Sequence, residues 1–492
     1  MARRTKIVAT IGPATDVGNV LRDTLSAGVD VVRLNLSHGA LEEHCARLRE
    51  VRSCAAAIGR PVAVLADLPG PKIRAGHFPH GGVDLSPGSL IRLVAGDGTS
   101  DAGTISVPYA TLLDDLDAGA RVQLGDGAIS MTVTDVHADA ALARVDTGGH
   151  TNGEPGVHLS SETLRLPTPT DEDLELAAAM CAEDVDYLAV SFVRAAADVQ
   201  RVRDVVGGQA ELVAKIETRA AIDVLDDIIE VSDAVMVARG DLGIDCPVED
   251  VPHLQKRIIR RCVEAGVPVI TATQMLESMI HAPSPTRAEV SDVANAVFDG
   301  TDAIMLSGET AIGRDPAGVV ATMGTVAERA ESEASYRGWA QRLGREQRRA
   351  GEGAEHLASI HPVTAAITHA AWQASHDVDA SAILCCTRSG RTAKAMARFR
   401  PEAPLIGLAP DESTVRALSL VWGVQPVQVD QYDSTDEMVW FAIERALEHG
   451  LVATGDTVVA LVGAPTLRPA DGPRRWTPDG VATDVLRIVT LE

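Results

Sequence analysis

The sequence predicts an α/β protein built on a closed TIM (β/α)8 barrel, with an all-β lid domain inserted after the third strand and a C-terminal α/β domain. Three observations carry that prediction. Eight short runs of apolar, β-branched residues are mostly separated by helical patterns, and near-continuous apolar strands of this kind form parallel sheets covered on both faces. Polar residues cluster just after those runs, where a barrel of this class places its site. The rhythm is broken between Lys72 and Pro167 and starts again from about His361.

In chain order the runs are Lys6–Gly12, Val29–Leu36, Pro61–Leu68, Val185–Val193, Leu212–Glu217, Ala234–Gly240, Pro268–Gln274 and Asp302–Ser307. The polar residues at their C-terminal ends are Arg33, Asn35, Ser37 and His38, then Asp67, then Ser191 and Arg194. Lys215 and Glu217, Asp241, Thr273 and Gln274, and Ser307 and Glu309 complete the set. Stability alone gives no reason for so many polar residues at equivalent strand ends. A doubly wound open sheet is the competing architecture, but no GxGxxG follows the first run.

Glu211 to Gly243 is the most informative stretch. It reads as a strand, a helix through Ala220–Ile229 and a second strand, so Lys215, Glu217 and Asp241 fall on one edge of a parallel βαβ unit. Two carboxylates about 4 Å apart repel by roughly 4 kcal/mol at an effective dielectric near 20. A shared divalent cation removes that repulsion, and oxygen-only ligands favour Mg²⁺ or Mn²⁺ over zinc. The plain alternative is a Lys215–Glu217 ion pair across the barrel rim.

Composition narrows the classes of function. With 492 residues the chain is long enough for several domains, and a net charge of −25 argues against nonspecific binding to nucleic acid or anionic membranes. No apolar run approaches a membrane span, and MARRTKIVATIG is neither a signal nor a transit peptide. The seven cysteines show no CxxC spacing, which suits reduced thiols in a cytoplasmic protein. Of 44 basic residues only Lys6, Lys72, Lys215, Lys256 and Lys394 are lysine, so a lysine at a strand end stands out.

In the interval 72–167 the alternating runs Leu90–Val94, Ala120–Leu124, Ile129–Val133 and Leu142–Val145 are punctuated by Gly-rich turns. Inserted at a βα loop, such a domain overlies the barrel mouth and serves as a lid. Glu331–Glu355 reads as a charged helix ending at a domain boundary. Beyond it, strands are expected at Ser381–Thr387, Leu405–Leu408, Gln425–Val429 and Thr457–Val462. The loop Thr387-Arg388-Ser389-Gly390-Arg391-Thr392, leading into a helix through Lys394–Arg398, offers amides and guanidinium groups to a phosphate. A capped helix start that binds nothing is the alternative. The expected partition is barrel at 1–71 and 168–340, lid at 72–167 and C-terminal domain at 341–492.

These motifs together resemble the pyruvate kinase family over essentially the whole chain. The resemblance rests on TKIVATIGPAT, VVRLNLSHG, GPKIRAG, SFVRAAADV, AKIET, VMVARGDLG, VPHLQKRII, TATQMLESM, PTRAEVSDVANAVFDGTDAIMLSGETA and CTRSGRTAKAMARFRP. It implies phosphoryl transfer from phosphoenolpyruvate to ADP, giving pyruvate and ATP, the last step of glycolysis. It further implies that Glu217 and Asp241 hold Mg²⁺ or Mn²⁺, and that amides around Gly240 and Asp241, with Thr273, bind the substrate carboxylate. Lys215 and Arg33 would contact the migrating phosphoryl group. Asn35, Ser37, His38 and Arg74 match nucleotide-side positions, and Ser307 and Thr273 lie where a water-linked proton could reach the enolate. The family is usually a homotetramer, and Thr387–Thr392 resembles its loop for a phosphorylated allosteric effector.

Two departures from the family pattern are informative. Where many members read D-T-K-G-P-E-I-R and hold K⁺ with residues matching Asn35, Ser37 and Asp67, this chain reads Asp67-Leu68-Pro69-Gly70-Pro71-Lys72-Ile73-Arg74. That resembles the branch working without a monovalent cation, with the Lys72 ammonium standing in for it. Asp171-Glu172-Asp173 replaces the usual Glu-Lys-Asp, whose lysine lies near the nucleotide phosphates, and GVHLSSETLRLP departs from the usual lid return. A catalytically weak metabolite sensor and a nucleotide-free lyase or aldolase acting on a pyruvate enolate therefore stand as alternatives.

Overall fold

The computed structural model describes residues 3–125, 127–159, 166–334, 336, 338–343, 360–430, 434–463 and 483–492. All eight apolar runs form strands, trimmed at their ends: β1 (Lys6–Thr10), β2 (Val31–Asn35), β3 (Ala63–Asp67), β4 (Tyr187–Val190), β5 (Glu211–Ile216), β6 (Ala234–Ala238), β7 (Val269–Ala272) and β8 (Ala303–Leu306). They close in the order β1-β8-β7-β6-β5-β4-β3-β2, every neighbouring pair parallel.

Side chains alternate across each strand. Val8, Val31, Leu65, Tyr187, Val213, Met236 and Met305 fill the barrel interior, whereas Ile7, Leu34, Val64, Leu212 and Val235 pack outward under the helices. This period-two alternation explains where the polar residues go. Thr10, Arg33, Asp67, Ser191, Lys215 and Ser307 each share parity with an inward apolar residue of the same strand. They cap the filled barrel at its C-terminal mouth.

The insertion forms a six-stranded sheet over its own apolar core, which includes Phe78, Ile91, Leu93, Ile105, Val122 and Met131. A bridge between Arg74 and Gly156 ties its entering and leaving chains together. The Gln123 side-chain amide donates to the Ile244 carbonyl at 2.8 Å, joining this domain to the short helix Arg239–Asp245 beyond β6.

The C-terminal sheet comprises β9 (Ala382–Cys386), β10 (Leu405–Ala409), β11 (Val424–Gln428), β12 (Thr457–Gly463) and the antiparallel edge β13 (Thr483–Thr490), in the order β11-β10-β9-β12-β13. Patterning did not foresee β13. This domain docks on the base of the barrel. Ala417 and Leu420 join the inward core, and the Tyr187 hydroxyl donates to the Ala417 carbonyl at 2.7 Å. Arg400 pairs with Asp302 at 3.0 Å, Arg416 with Asp186 at 2.6 Å and Lys394 with Glu211 at 2.8 Å, each carboxylate lying at or just before the start of a strand.

Two expectations need correction. The helix foreseen at Ala220–Ile229 is split into Arg219–Asp223 and Leu225–Val231 at Val224, whose φ of −117° and ψ of 30° leave the helical region. The helix foreseen from Glu331 to Glu355 is not continuous. Helix Pro316–Glu333 stops where Ala334 turns extended, and residues 344–359 lie outside the described set. All seven cysteines are free. Among the described residues no helix is long and apolar enough to cross a membrane.

Candidate active site

Lys215 is the centre of the mouth. Its ammonium donates to Ser191 Oγ at 2.7 Å and lies 3.2 Å from Asp67 Oδ1 and 2.8 Å from Glu217 Oε1. Residues 215 and 217 share a strand face by parity, so the rim ion pair is real, and Asp67 and Ser191 also belong to it. Burial works against the charge, but the Asp67 and Glu217 carboxylates outweigh it and hold the pKa well above the ordinary lysine value. Lys215 is therefore a fixed cation at neutral pH.

Asp67 is clamped from two sides. Its Oδ2 accepts from Arg33 Nε at 2.7 Å, and Arg33 Nη1 reaches Thr10 Oγ1 at 3.0 Å. Burial pushes the Asp67 carboxyl up, but Lys215 and Arg33 more than offset this and its pKa falls below the usual carboxylate range. The side chain is 1% exposed, which makes it a buried counter-ion spacing two cations. Ser191 completes the frame by donating to the Leu68 carbonyl at 2.7 Å.

Glu217 has the opposite character. Burial, offset by Lys215 but reinforced by Asp241, raises its pKa to about 7. Oε2 accepts from the Phe192 amide at 2.7 Å, whereas Oε1, buried and beside the ammonium, has no aligned hydrogen bond. A buried carboxylate whose Oε1 meets the Lys215 ammonium but no backbone amide, with a second carboxylate in electrostatic reach, suits a hard divalent cation. Among the described residues no group of three His, Cys, Asp or Glu side chains is poised to hold a metal. Glu217 and Asp241 therefore fit Mg²⁺ or Mn²⁺ completed by water and substrate oxygens, and do not form an all-protein cage.

Thr273 borders this pair. It takes a left-handed φ of 69°, followed by Gln274 at 54°, an unfavourable backbone for non-glycine residues that turns the chain sharply after β7. Its hydroxyl donates to the Ala272 carbonyl at 2.7 Å and accepts from the Gly240 amide at 2.9 Å. Arg239 braces both loops, donating to the Ala272 and Thr273 carbonyls while pairing with Asp292 at 2.6 Å. Across the mouth, the Ser307 amide donates to Glu309 Oε2 at 2.7 Å, and Glu309 Oε1 accepts from the Leu276 amide at 3.1 Å.

A cationic patch lies beside Arg33. Burial, then Lys72, Arg74 and Arg33 in turn, push the His38 pKa down, so these four side chains share one field. Lys72 is likewise lowered, by desolvation and then by Lys215 and Arg74, while Asp241 and Asp67 act in the opposite direction. Asn35 is paired in register with Asp67 across β2 and β3, and its side-chain oxygen accepts from the Ser37 amide at 3.2 Å. Arg74 donates to the Glu154 carbonyl at 3.2 Å. Glu172 is exposed, whereas its neighbour Asp173 is buried and accepts from the Gly70 amide at 2.9 Å. Of the lid return GVHLSSETLRLP, residues 160–165 lie outside the described set.

Sequence reasoning put Ser191 at a strand end without a task and passed over Thr10 and the Phe192 amide. Parity was the available signal for the first two. The C-terminal loop 387–392 is far from this mouth, at the outer end of β9. Arg388, Ser389 and Arg391 are exposed, Gly390 is left-handed at φ 77°, and Thr392 Oγ1 lies 2.7 Å from Thr483 Oγ1.

Comparison with known proteins agrees with this geometry. Residues 2–320 match the family model described as "Pyruvate kinase, barrel domain", and residues 365–471 match "Pyruvate kinase, alpha/beta domain". A protein named pyruvate kinase from Clostridium acetobutylicum is 39% identical over 470 residues, covering 94% of this chain and 97% of its own. One from Methylorubrum extorquens is 39% identical over 464 residues, 94% and 95% of the two chains. A "Pyruvate kinase 2" from Synechocystis is 41% identical over 470 residues, 94% of this chain and 77% of its own. Barrel, mouth and relatives converge: the chain belongs to the pyruvate kinase family, glycolytic enzymes that transfer a phosphoryl group between phosphoenolpyruvate and ADP.

Proposed function

We propose that this chain converts phosphoenolpyruvate and ADP to pyruvate and ATP at the Lys215 mouth. The observation that carries the reading is the buried ammonium of Lys215, spaced from Arg33 by the shared Asp67 carboxylate. A phosphoryl group in flight spreads negative charge over three oxygens, and cations fixed before it arrives stabilise it without reorganising. Arg33 and Lys215 take that role. The Gly240 and Asp241 amides and the Thr273 hydroxyl receive the substrate carboxylate, and Thr273 exchanges its bond from the Gly240 amide for one to substrate. Glu217 and Asp241 would hold Mg²⁺ or Mn²⁺, which supplies a Lewis-acid charge to substrate oxygens when bound.

Once the P–O bond breaks, the β-phosphate of ADP carries the phosphoryl group and an enolate remains, which a proton at C3 converts to pyruvate. Lys215 is a poor donor because its carboxylate neighbours hold its proton. The proton then arrives by water from the side of Ser307 and Thr273. Asn35, Ser37, His38 and Arg74 bind the nucleotide, His38 as a neutral imidazole. Coupled detection of pyruvate with and without ADP tests the reading. Lys215→Met should lower kcat by at least about 10²-fold with the fold intact; turnover near the parent level, or pyruvate formed equally well without ADP, would refute it.

We further propose that K⁺ is dispensable. Lys72 places a positive charge in the field of Asp67 and Asp241, and Asp67 is already satisfied by Arg33 and Lys215. Activity in buffer free of both sodium and potassium should match that with added K⁺, and a large restoration by K⁺ would overturn the assignment. The partition 1–71, 72–167, 168–340 and 341–492, a cytoplasmic homotetramer, and a phosphorylated effector on Thr387–Thr392 complete the proposal. Loss of effector response in Arg388→Ala and Arg391→Ala tests the loop.

A further inference from the structure

The helix Leu41–Ile58, which follows β2, buries His44, Leu48, Val51 and Ala55, one stripe at helical spacing. Leu48, Val51 and Ala55 join the core between the helices and the barrel. An apolar side chain would continue that stripe at position 44, so a histidine that is 3% exposed needs another reason. Its ring reaches out of the stripe, and Nε2 lies 2.7 Å from the His38 carbonyl oxygen. A carbonyl only accepts, so Nε2 carries the proton, and in the neutral ring Nδ1 is a bare acceptor. Nδ1 is buried and has no partner. Burial pushes the His44 pKa down, against the pull of the His38 carbonyl, which keeps the ring neutral and in that one tautomer.

That bond falls on the segment assigned to the nucleotide. Asn35 ends β2, and the chain turns through Ser37, His38 and Gly39 before the helix begins. Ala40, at the helix N-cap, makes no side-chain bond to hold the turn. Within the turn, the Ser37 amide donates to Asn35 Oδ1 at 3.2 Å and the His38 amide to the Asn35 carbonyl at 3.3 Å. The bond from His44 is shorter than either and comes from outside the turn. Gly39, at φ +88°, passes so close that a Cβ there would lie 2.9 Å from Glu43 Oε2 and 3.4 Å from His44 Nε2. One turn further along the helix, Arg47 holds both oxygens of Asp16, in the loop after β1, at 3.0 and 2.7 Å. The helix that carries His44 is therefore itself tied to the mouth.

Given that Asn35, Ser37, His38 and Arg74 bind the nucleotide, on which this role rests, we propose that His44 is a positioning residue for ADP. Its neutral Nε2–H holds the His38 carbonyl and so presents Ser37 and His38 to the nucleotide, without His44 touching it. Lacking that donor, the turn depends on its own two longer bonds, and ADP must order it on binding. Apparent affinity then falls by the fraction of time the turn is correctly set. The phosphoenolpyruvate side keeps its own supports, since Asp67 and Ser191 hold Lys215, Asp67 holds Arg33 and the Gly240 amide holds Thr273. Removing the His44 donor should therefore weaken one substrate and spare the other.

Steady-state kinetics on wild type, His44→Leu, His44→Gln and His38→Ala test this. Leucine continues the apolar stripe and removes the donor, whereas glutamine puts an amide N–H near the place of Nε2. His44→Leu should raise KM for ADP about 5- to 20-fold, with KM for phosphoenolpyruvate and kcat at saturating ADP within about twofold of wild type. His44→Gln should recover most of that loss. In urea unfolding His44→Leu should have a midpoint close to wild type's, since the stripe stays apolar and an unpartnered nitrogen is gone. Equal rises in both KM values, an unchanged KM for ADP, or no recovery by glutamine would overturn the role. His38→Ala separates it from the assignment beneath. A raised KM for ADP there, with none in His44→Leu, removes only the role of His44, and no change in either variant removes the nucleotide assignment as well. Should His44→Leu not fold, His44→Phe keeps a ring without the donor and should show the same split between the two substrates.

Discussion

At the scale of single residues, the mouth works by holding opposite charges in fixed order. Ser191 is the neutral member that aims Lys215, accepting from its ammonium at 2.7 Å while donating to the Leu68 carbonyl. Ser191→Ala should cost about 1–2 kcal/mol of transition-state stabilisation, a roughly tenfold fall in kcat with KM for ADP unchanged, read by coupled assay. Glu172 sets an exposed carboxylate where the family resemblance expects a lysine. Glu172→Lys should lower KM for ADP about 3- to 10-fold at low salt and much less at high salt. Which side chains gather at the mouth was legible in the sequence, because strand ends and parity are local properties. That Lys215 would meet Asp67 and Ser191 was not, since those partners come from other strands and depend on the register of the closed barrel. Nor could sequence show that Glu217 Oε1 faces the Lys215 ammonium with no backbone amide to meet it, which depends on the direction of one buried rotamer.

At the scale of elements, turns position the site. Gly70 adopts φ +68°, and a Cβ there would lie 2.8 Å from both Phe192 Cδ2 and Ser191 Cβ. Gly70→Ala should destabilise by about 1–3 kcal/mol in urea unfolding. It should also raise the Mg²⁺ needed for half-maximal activity, because Phe192 carries the amide that holds Glu217. Asp30 joins the bases of β1 and β2, accepting from the Ile7 amide and pairing with Arg3, both at 2.8 Å. Burial raises its pKa, yet Arg3 and Lys6 win and the folded value lies below 3.8. Its contribution is present above the unfolded pKa and fades as pH falls through the folded one. Asp30→Asn should accordingly cost stability at pH 7 and close the gap on wild type only in strong acid. The eight barrel strands were readable because each is a buried apolar run. Strand β13 was not, since its burial alternates weakly at an edge, and the helix break at Val224 falls at neither a proline nor a glycine, the residues that would have announced it.

At the scale of the whole molecule, buried ion pairs bind the C-terminal domain to the barrel. Arg400 and Asp302 are 1% and 6% exposed in their side chains. Arg400→Met would strand the carboxylate and should cost about 3–5 kcal/mol, visible as an earlier unfolding transition or as one that splits in two. Sequence gave clear notice of two domains after the insertion but none of this joint, whose partners are distant in the chain. The same joint supplies Ala417 and Leu420 to the interior below Tyr187. The barrel is thus a vessel whose floor is lent by its neighbour. Cut from that neighbour, it would leak at the bottom, wetting the lowest layer of side chains on which the upper ones rest, and excision would blunt catalysis at a site the C-terminal domain never touches.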